Sequence, residues 1–127
     1  MPYRALVCDD DSPIRHMLRD LLEAQGVSVI EAVDGLQALA LFRNNAVDLV
    51  VTDFLMPRLD GMQLIRGIRQ SERARIPIVL MSAISKDHIP ADAQAAPDYY
   101  IDKPFKPKKV AKLLERVLED LARRAKG

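Results

Sequence analysis

Asp9, Asp10, Asp53, Ser82 and Lys103 are the residues whose types could act together on a charged ligand. Asp9 and Asp10 follow one apolar run. Asp53 closes another 44 positions after Asp9, Ser82 a third 29 positions later, and Lys103 follows a fourth after 21 more. If these runs are parallel strands, their carboxyl ends share one edge of a sheet, where α/β proteins bind ligands. The pocket would then gather carboxylates, one hydroxyl and one ammonium. Hard oxygen ligands select magnesium or calcium, and magnesium typically takes one or two carboxylates, several waters and a phosphate oxygen. Lys103 offers a phosphoryl group positive charge, and Ser82 a hydrogen-bond donor.

The pattern that must position them alternates strand and helix. Leu6-Val7-Cys8 has the look of a central strand buried on both faces. Asp11 or Ser12 can cap the helix that follows, with Ile14, Met17, Leu18, Leu21 and Leu22 as its apolar stripe and Gly26 as its stop. A second strand spans residues 27–32, and Asp34-Gly35 opens a second helix that fades at Asn44-Asn45. Leu49 to Thr52 is the third strand, and a loop over 54–60 leads to a helix carrying Leu64, Ile65 and Ile68. The fourth strand ends at Ser82. Between Ser85 and Ala96 any helix must be short, because Pro90 fits only a first helical turn and Pro97 closes the stretch. Tyr99-Tyr100-Ile101 reads as a fifth strand. Val110, Leu113, Leu114, Val117, Leu118 and Leu121 mark a long final helix. Five strands alternating with five helices imply a doubly wound parallel sheet with helices on both faces.

A chain of 127 residues is expected to be one domain, 1–127, with no linker and no output domain after it. Composition is that of an ordinary globular protein, 49% hydrophobic and 29% charged, which argues against disorder. No window approaches the ~20 apolar residues of a membrane span, and the start at Tyr3-Arg4-Ala5-Leu6-Val7 has no secretory pattern. The single cysteine, Cys8, excludes an internal disulfide framework, so a cytoplasmic location is expected. Acids outnumber bases 10 to 5 in residues 1–60, and bases outnumber acids 9 to 4 in residues 99–127. The basic tail, with Lys108, Lys109, Lys112, Arg116, Arg123 and Arg124, reads as a solvated helix face. It lacks interleaved aromatics beyond Phe105, so no direct nucleic-acid binding is expected. Cys8 reads as core, the methionines Met17, Met56, Met62 and Met81 as packing, and His16 as solvated.

The run Val7-Cys8-Asp9-Asp10-Asp11-Ser12-Pro13 resembles the opening of response regulator receiver domains, including the single-domain chemotaxis type. Residues Asp53 to Gly61 resemble that family's phosphoacceptor segment, and Met81-Ser82-Ala83 and Lys103-Pro104-Phe105 match its two remaining signatures. The resemblance covers Tyr3 to about Arg124, with every motif in order. It implies a flavodoxin-like sheet of strand order 2-1-3-4-5. It implies that Asp53 accepts a phosphoryl group from a histidine kinase or a histidine phosphotransfer protein. Asp10, Asp53 and the backbone carbonyl of Leu55 would hold Mg2+, with Asp9 acting nearby through water. Ser82 and Lys103 would bind the phosphoryl oxygens, and a cis bond between Lys103 and Pro104 would aim the ammonium. Tyr100 matches the switch aromatic that follows Ser82. A downstream protein would read the face made by the fourth helix, fifth strand and fifth helix.

Two departures stand out. Leu55 and Ile84, which flank the phosphoryl group in this family, are both apolar here and are expected to hinder hydrolytic water. Pro90 and Ala96-Pro97 replace the usual pattern before the fifth strand, which leaves the shape of that face open. Two other functions compete. A phosphatase that forms an aspartyl phosphate would use Asp9-Asp10-Asp11 as an Asp-x-Asp pair, but it leaves Asp53 to Gly61 unexplained. A receiver-like fold that binds partners without phosphorylation would have no need of the acceptor residues, all of which are present.

Overall fold

A computed structural model describes residues 3–126. Its elements run β1 (Arg4–Cys8), α1 (Ser12–Glu23), β2 (Ser28–Ala32), α2 (Gly35–Asn44), β3 (Leu49–Asp53), α3 (Gly61–Arg69), β4 (Ile78–Ser82), β5 (Tyr99–Asp102) and α4 (Pro107–Lys126). All neighbouring strands pair in parallel, in the order β2-β1-β3-β4-β5. The sheet therefore has the expected flavodoxin-like order. The chain reverses its direction of winding at β1, so the crevice between the ends of β1 and β3 is the topological switch point.

Alternation along each strand divides the core into two layers. Ala5, Val7, Val51, Val79 and Met81 pack on one side against Leu18 and Leu22 of α1 and Val110, Leu114 and Val117 of α4. Leu6, Cys8, Val50 and Leu80 pack on the other against Ala38 and Phe42 of α2 and Leu64, Ile65 and Ile68 of α3. Every residue of β3 and β4 is buried, which is why these strands read as continuous apolar runs. Helix starts are fixed by side chains that satisfy free backbone N–H groups. Asp11 caps α1 and Asp34 caps α2. Asp60 and Gln63 form a reciprocal capping box at α3.

The expected helix between Ser85 and Ala96 does not form, so the molecule has four α-helices among its described residues. Two short 3-10 turns, Lys86–His88 and Ala93–Ala95, stand in its place. Proline disfavours α geometry in the residue before it, and Ile89 and Ala96 are accordingly extended. The side chains of Ser85 and Asp92 accept local N–H bonds that start the two turns. With no helical ladder of its own, the segment is tied down by α3. Arg66 pairs with Asp92 and donates to Gln94 at 2.8 Å. Arg69 donates to the Ala96 carbonyl at 3.0 Å and to Asp98 at 2.9 Å. No helix among the described residues is long and apolar enough to cross a membrane.

Candidate functional site

Each residue of the expected pocket reaches the carboxyl edge of the sheet from its own strand. Asp9 follows β1 directly, Asp53 ends β3 and Ser82 ends β4. Lys103 follows β5, and its N–H donates to the Ser82 carbonyl at 2.8 Å, which holds the two strand ends in register. The Lys103-Pro104 bond is cis, as expected. The Lys103 ammonium lies 3.0 Å from Asp9 and 3.2 Å from Asp53. The ammonium expected to face Asp53 is thus shared between two carboxylates.

Asp9 is fully buried, Asp53 and Ser82 are buried, and Asp10 is exposed. Asp9 turns its second oxygen to the Asp11 N–H at 2.9 Å. Arg15 of α1 donates to the Asp9 carbonyl at 2.9 Å and pairs with Glu31 of β2, so its fork braces the β1 end. Asp53 accepts from the Phe54 N–H at 2.9 Å through one oxygen, leaving the other towards Lys103. Burial, and then the neighbouring Asp9 charge, hold the Asp53 carboxyl above its ordinary range, against the pull of Lys103. Burial pulls the Lys103 ammonium down, but its two carboxylate partners more than offset this and keep it above a free lysine. One cation shared by two buried acids is a good environment for the cation and a poor one for Asp53.

Carboxylate oxygens of Asp9, Asp10 and Asp53 all lie within 4.8 Å of one another. Three carboxylates against one ammonium leave an excess of negative charge with only oxygen donors, which fits a hard divalent cation and not a soft metal. Leu55, whose carbonyl was expected to join them, sits two residues past Asp53 with its side chain 61% exposed. The loop that carries it is confined from both ends. A Cβ on Gly61 would lie 2.4 Å from the Asp53 carbonyl oxygen, and one on Gly35 would lie 2.0 Å from that of Leu59. Only glycine permits these approaches. Arg58 in the same loop has φ 70°, uncommon for a side-chain-bearing residue.

Ser82 and the switch candidate Tyr100 share one face of the sheet. Tyr100 is paired with Leu80, two residues before Ser82, and it packs into the α2–α3 layer. The Ser82 hydroxyl accepts from the Ile84 N–H at 2.9 Å, so Ile84 lies beside it, half-buried. Lys86, from the first 3-10 turn, stands 4.8 Å over the Tyr100 ring. Sequence reading missed Lys86, Arg66 and Arg69, whose partners are far away in the chain and follow no local pattern. His16 is exposed, as expected. Cys8 is fully buried, and burial pushes its thiol up to about 12.

The arrangement is an acidic, lysine-bridged pocket at the switch point of a parallel sheet, and comparison with known proteins places the chain in one family. A family model described as the response regulator receiver domain matches residues 5–115. The response regulator MprA of Mycobacterium sp. (strain KMS) is 43% identical over 105 residues, covering 83% of this chain and 46% of that protein. The chain thus spans about half the length of the MprA relatives it matches. The chemotaxis protein CheY of Pseudomonas aeruginosa is 34% identical over 119 residues, covering 91% of this chain and 96% of CheY. Among solved structures, the chemotaxis response regulator CheY4 of Vibrio cholerae superposes with a TM-score of 0.83 at 26% identity, covering 92% of this chain and 99% of that one. The receiver domain of the sensor histidine kinase PA1611 from Pseudomonas aeruginosa, with a magnesium ion coordinated in its active-site cleft, gives 0.80 at 27%, covering 94% and 99%. Strand order, motif order and family match agree, and this chain belongs to the response regulator receiver domain family.

Proposed function

We propose that Asp53 accepts a phosphoryl group from a histidine kinase or a histidine phosphotransfer protein in a Mg2+-dependent reaction, and that the modification alters a partner-binding face. The observation that carries this reading is the shared ammonium: Lys103 stands 3.2 Å from Asp53 while anchored at 3.0 Å to the fully buried Asp9. A carboxylate oxygen of Asp53 attacks phosphorus, a new P–O bond forms as the P–N bond to the donor imidazole breaks, and the imidazole nitrogen leaves with the electron pair. Phosphoryl transfer needs positioning and charge neutralisation more than covalent assistance. Asp10, Asp53 and the Leu55 carbonyl would hold Mg2+, with Asp9 joining through water. When bound, the ion supplies the positive charge that lets the acceptor and the incoming phosphoryl oxygens approach. Lys103 adds a second charge, and Ser82 donates to a phosphoryl oxygen.

The acyl phosphate carries roughly −1.5 to −2 charge where the carboxylate carried one, and places it on oxygens beside Ser82. A Ser82 hydroxyl drawn towards the new oxygens gives up its bond from Ile84, and Tyr100 on the same sheet face follows. The two conformations pre-exist and the charge biases between them. The face that a downstream target would read is built from the 3-10 segment, β5 and α4. The domain would turn over no external substrate, so it is a switch and not an enzyme in the usual sense. We place it in the cytoplasm, in keeping with its lone reduced cysteine.

The test is intact-mass measurement after incubation with Mg2+ and a small-molecule phosphodonor. One phosphate adduct is expected, labile to hydroxylamine as an acyl phosphate is, and absent when a chelator replaces the ion. No adduct, or one that survives hydroxylamine, rejects the reading. A second expectation concerns lifetime. Leu55 and Ile84 set apolar side chains beside the water's approach to phosphorus, so replacing both with polar residues should speed phosphate loss about tenfold. That gain corresponds to ~1.4 kcal/mol of barrier, read by following the adduct over time. An unchanged rate removes the role assigned to them.

A further inference from the structure

Side chains one step back from the proposed metal ligands form a layer of their own. Cys8 precedes Asp9, Thr52 precedes Asp53, and Met56 follows Leu55. Strand pleating turns Cys8 and Thr52 to the face opposite Val7 and Val51, and the two are cross-strand partners at the ends of β1 and β3. Met56 reaches down from the acceptor loop onto both. Its sulfur lies 3.0 Å from the Cys8 sulfur and 3.8 Å from the Thr52 hydroxyl. The Cys8 thiol also lies 3.4 Å from the Asp34 carbonyl, and the Thr52 hydroxyl donates to the Asp53 carbonyl at 3.0 Å.

Between the confined ends of the loop, Met56 is the residue of 55–58 that packs into the core. Leu55 points its side chain outward, and Pro57 and Arg58 are exposed. Met56 is half-buried and packs against the α2–α3 layer. The Leu55 carbonyl and the Met56 nitrogen belong to one planar peptide unit, so whatever fixes Met56 also limits where that carbonyl can point.

We propose that Cys8 and Met56 are positioning residues for the divalent ion, their sulfur contact beneath the acceptor loop fixing the peptide unit that carries the Leu55 carbonyl. The proposal rests on the reading of the acidic pocket as a magnesium site. It assigns a function to two residues that otherwise count only as packing, and it has a signature that packing lacks. Magnesium demands near-ideal octahedral geometry, whereas calcium accepts flexible coordination. A loosened Leu55 carbonyl must therefore harm Mg2+ binding more than Ca2+ binding.

The experiment is calorimetric titration of the unphosphorylated chain with Mg2+ alone and with Ca2+ alone. Met56→Ala is expected to weaken Mg2+ binding about tenfold, the lower end for loss of a group that orients a ligand, and Ca2+ binding by less than about threefold. Met56→Leu keeps the volume and loses the sulfur, so it should show the same bias with a loss of about threefold for Mg2+. It also answers the question if Met56→Ala fails to fold. Because both sulfurs act through one contact, the Cys8→Ala, Met56→Ala double variant should bind Mg2+ no more weakly than Met56→Ala alone. Equal losses for the two ions, additive losses, or no loss would overturn the proposal. A wild-type chain that binds no Mg2+ would instead bring down the metal-site reading beneath it, a distinct result.

Discussion

Asp53→Asn is expected to take up no phosphoryl group under conditions in which the wild-type chain is fully modified. The substitution keeps the shape of the side chain and the bond from the Phe54 N–H, which Asp53 accepts through one oxygen. It replaces the anionic nucleophile by a neutral amide, and amides do not attack phosphorus at neutral pH. The effect is therefore all or none and needs no argument from stability. A modified Asp53→Asn chain would mean that another residue accepts the group. Ser82 would be the first suspect, and the hydroxylamine test separates its phosphoester from an acyl phosphate.

The same variant carries a pH prediction. Burial and the adjacent Asp9 raise the folded-state pKa of Asp53 above its unfolded value. The folded protein then holds that proton more tightly than the unfolded chain does. Asp53 thus contributes stability below the ordinary carboxylate range, and that contribution is lost as pH rises through its raised value. Without metal at pH 7, Asp53→Asn should melt a few degrees above wild type, and the gap should close as pH falls towards 4. Millimolar Mg2+ should reverse the order, because the cation stabilises only the chain that keeps its carboxylate. An Asp53→Asn variant less stable than wild type at neutral pH without metal would contradict the charge balance described for the pocket.

Much of this site was legible in the sequence because its residues stand at strand ends, and a buried strand announces itself as a short apolar run. Asp9, Asp53 and Ser82 follow such runs directly, and alternation with helices places the ends on one edge. What escaped was decided by contacts between distant segments. Pro90 and Pro97 warned that residues 85–96 could not hold a long helix, but no local pattern says that Arg66 and Arg69, some 26 to 29 positions away, tie the segment down. The sharing of Lys103 between two acids was hidden for the same reason, since Asp9 lies 94 positions from it. Cys8 and Met56 were read as packing, which burial bears out for Cys8. Their mutual contact, across 48 positions, required the loop path.

Lys103→Met is expected to destabilise the metal-free protein strongly and to make it depend on Mg2+. Methionine keeps the apolar stem of the lysine side chain, so the change isolates the charge. In the wild type the Lys103 side chain is 16% exposed and its ammonium touches Asp9, which is fully buried, and Asp53, which is nearly so. Removing one partner of a buried pair leaves an uncompensated charge, at a cost of about 3–5 kcal/mol. For a domain of this size that loss lowers Tm by roughly 10 °C or more. The deficit should shrink as pH falls towards 5, because without Lys103 one of the two acids can bind a proton and end the repulsion. It should also shrink in millimolar Mg2+. The ion finds a more negative pocket in the variant than in the wild type, binds it more tightly, and stabilises it by a larger amount. Tight metal binding would nevertheless come with slow phosphorylation, because the second positive charge beside the acceptor is gone. Thermal melts with and without Mg2+ at two pH values read all of this. If Mg2+ raises the Tm of both proteins equally, or if the metal-free variant melts with the wild type, Lys103 is not the counter-charge that keeps Asp9 and Asp53 together.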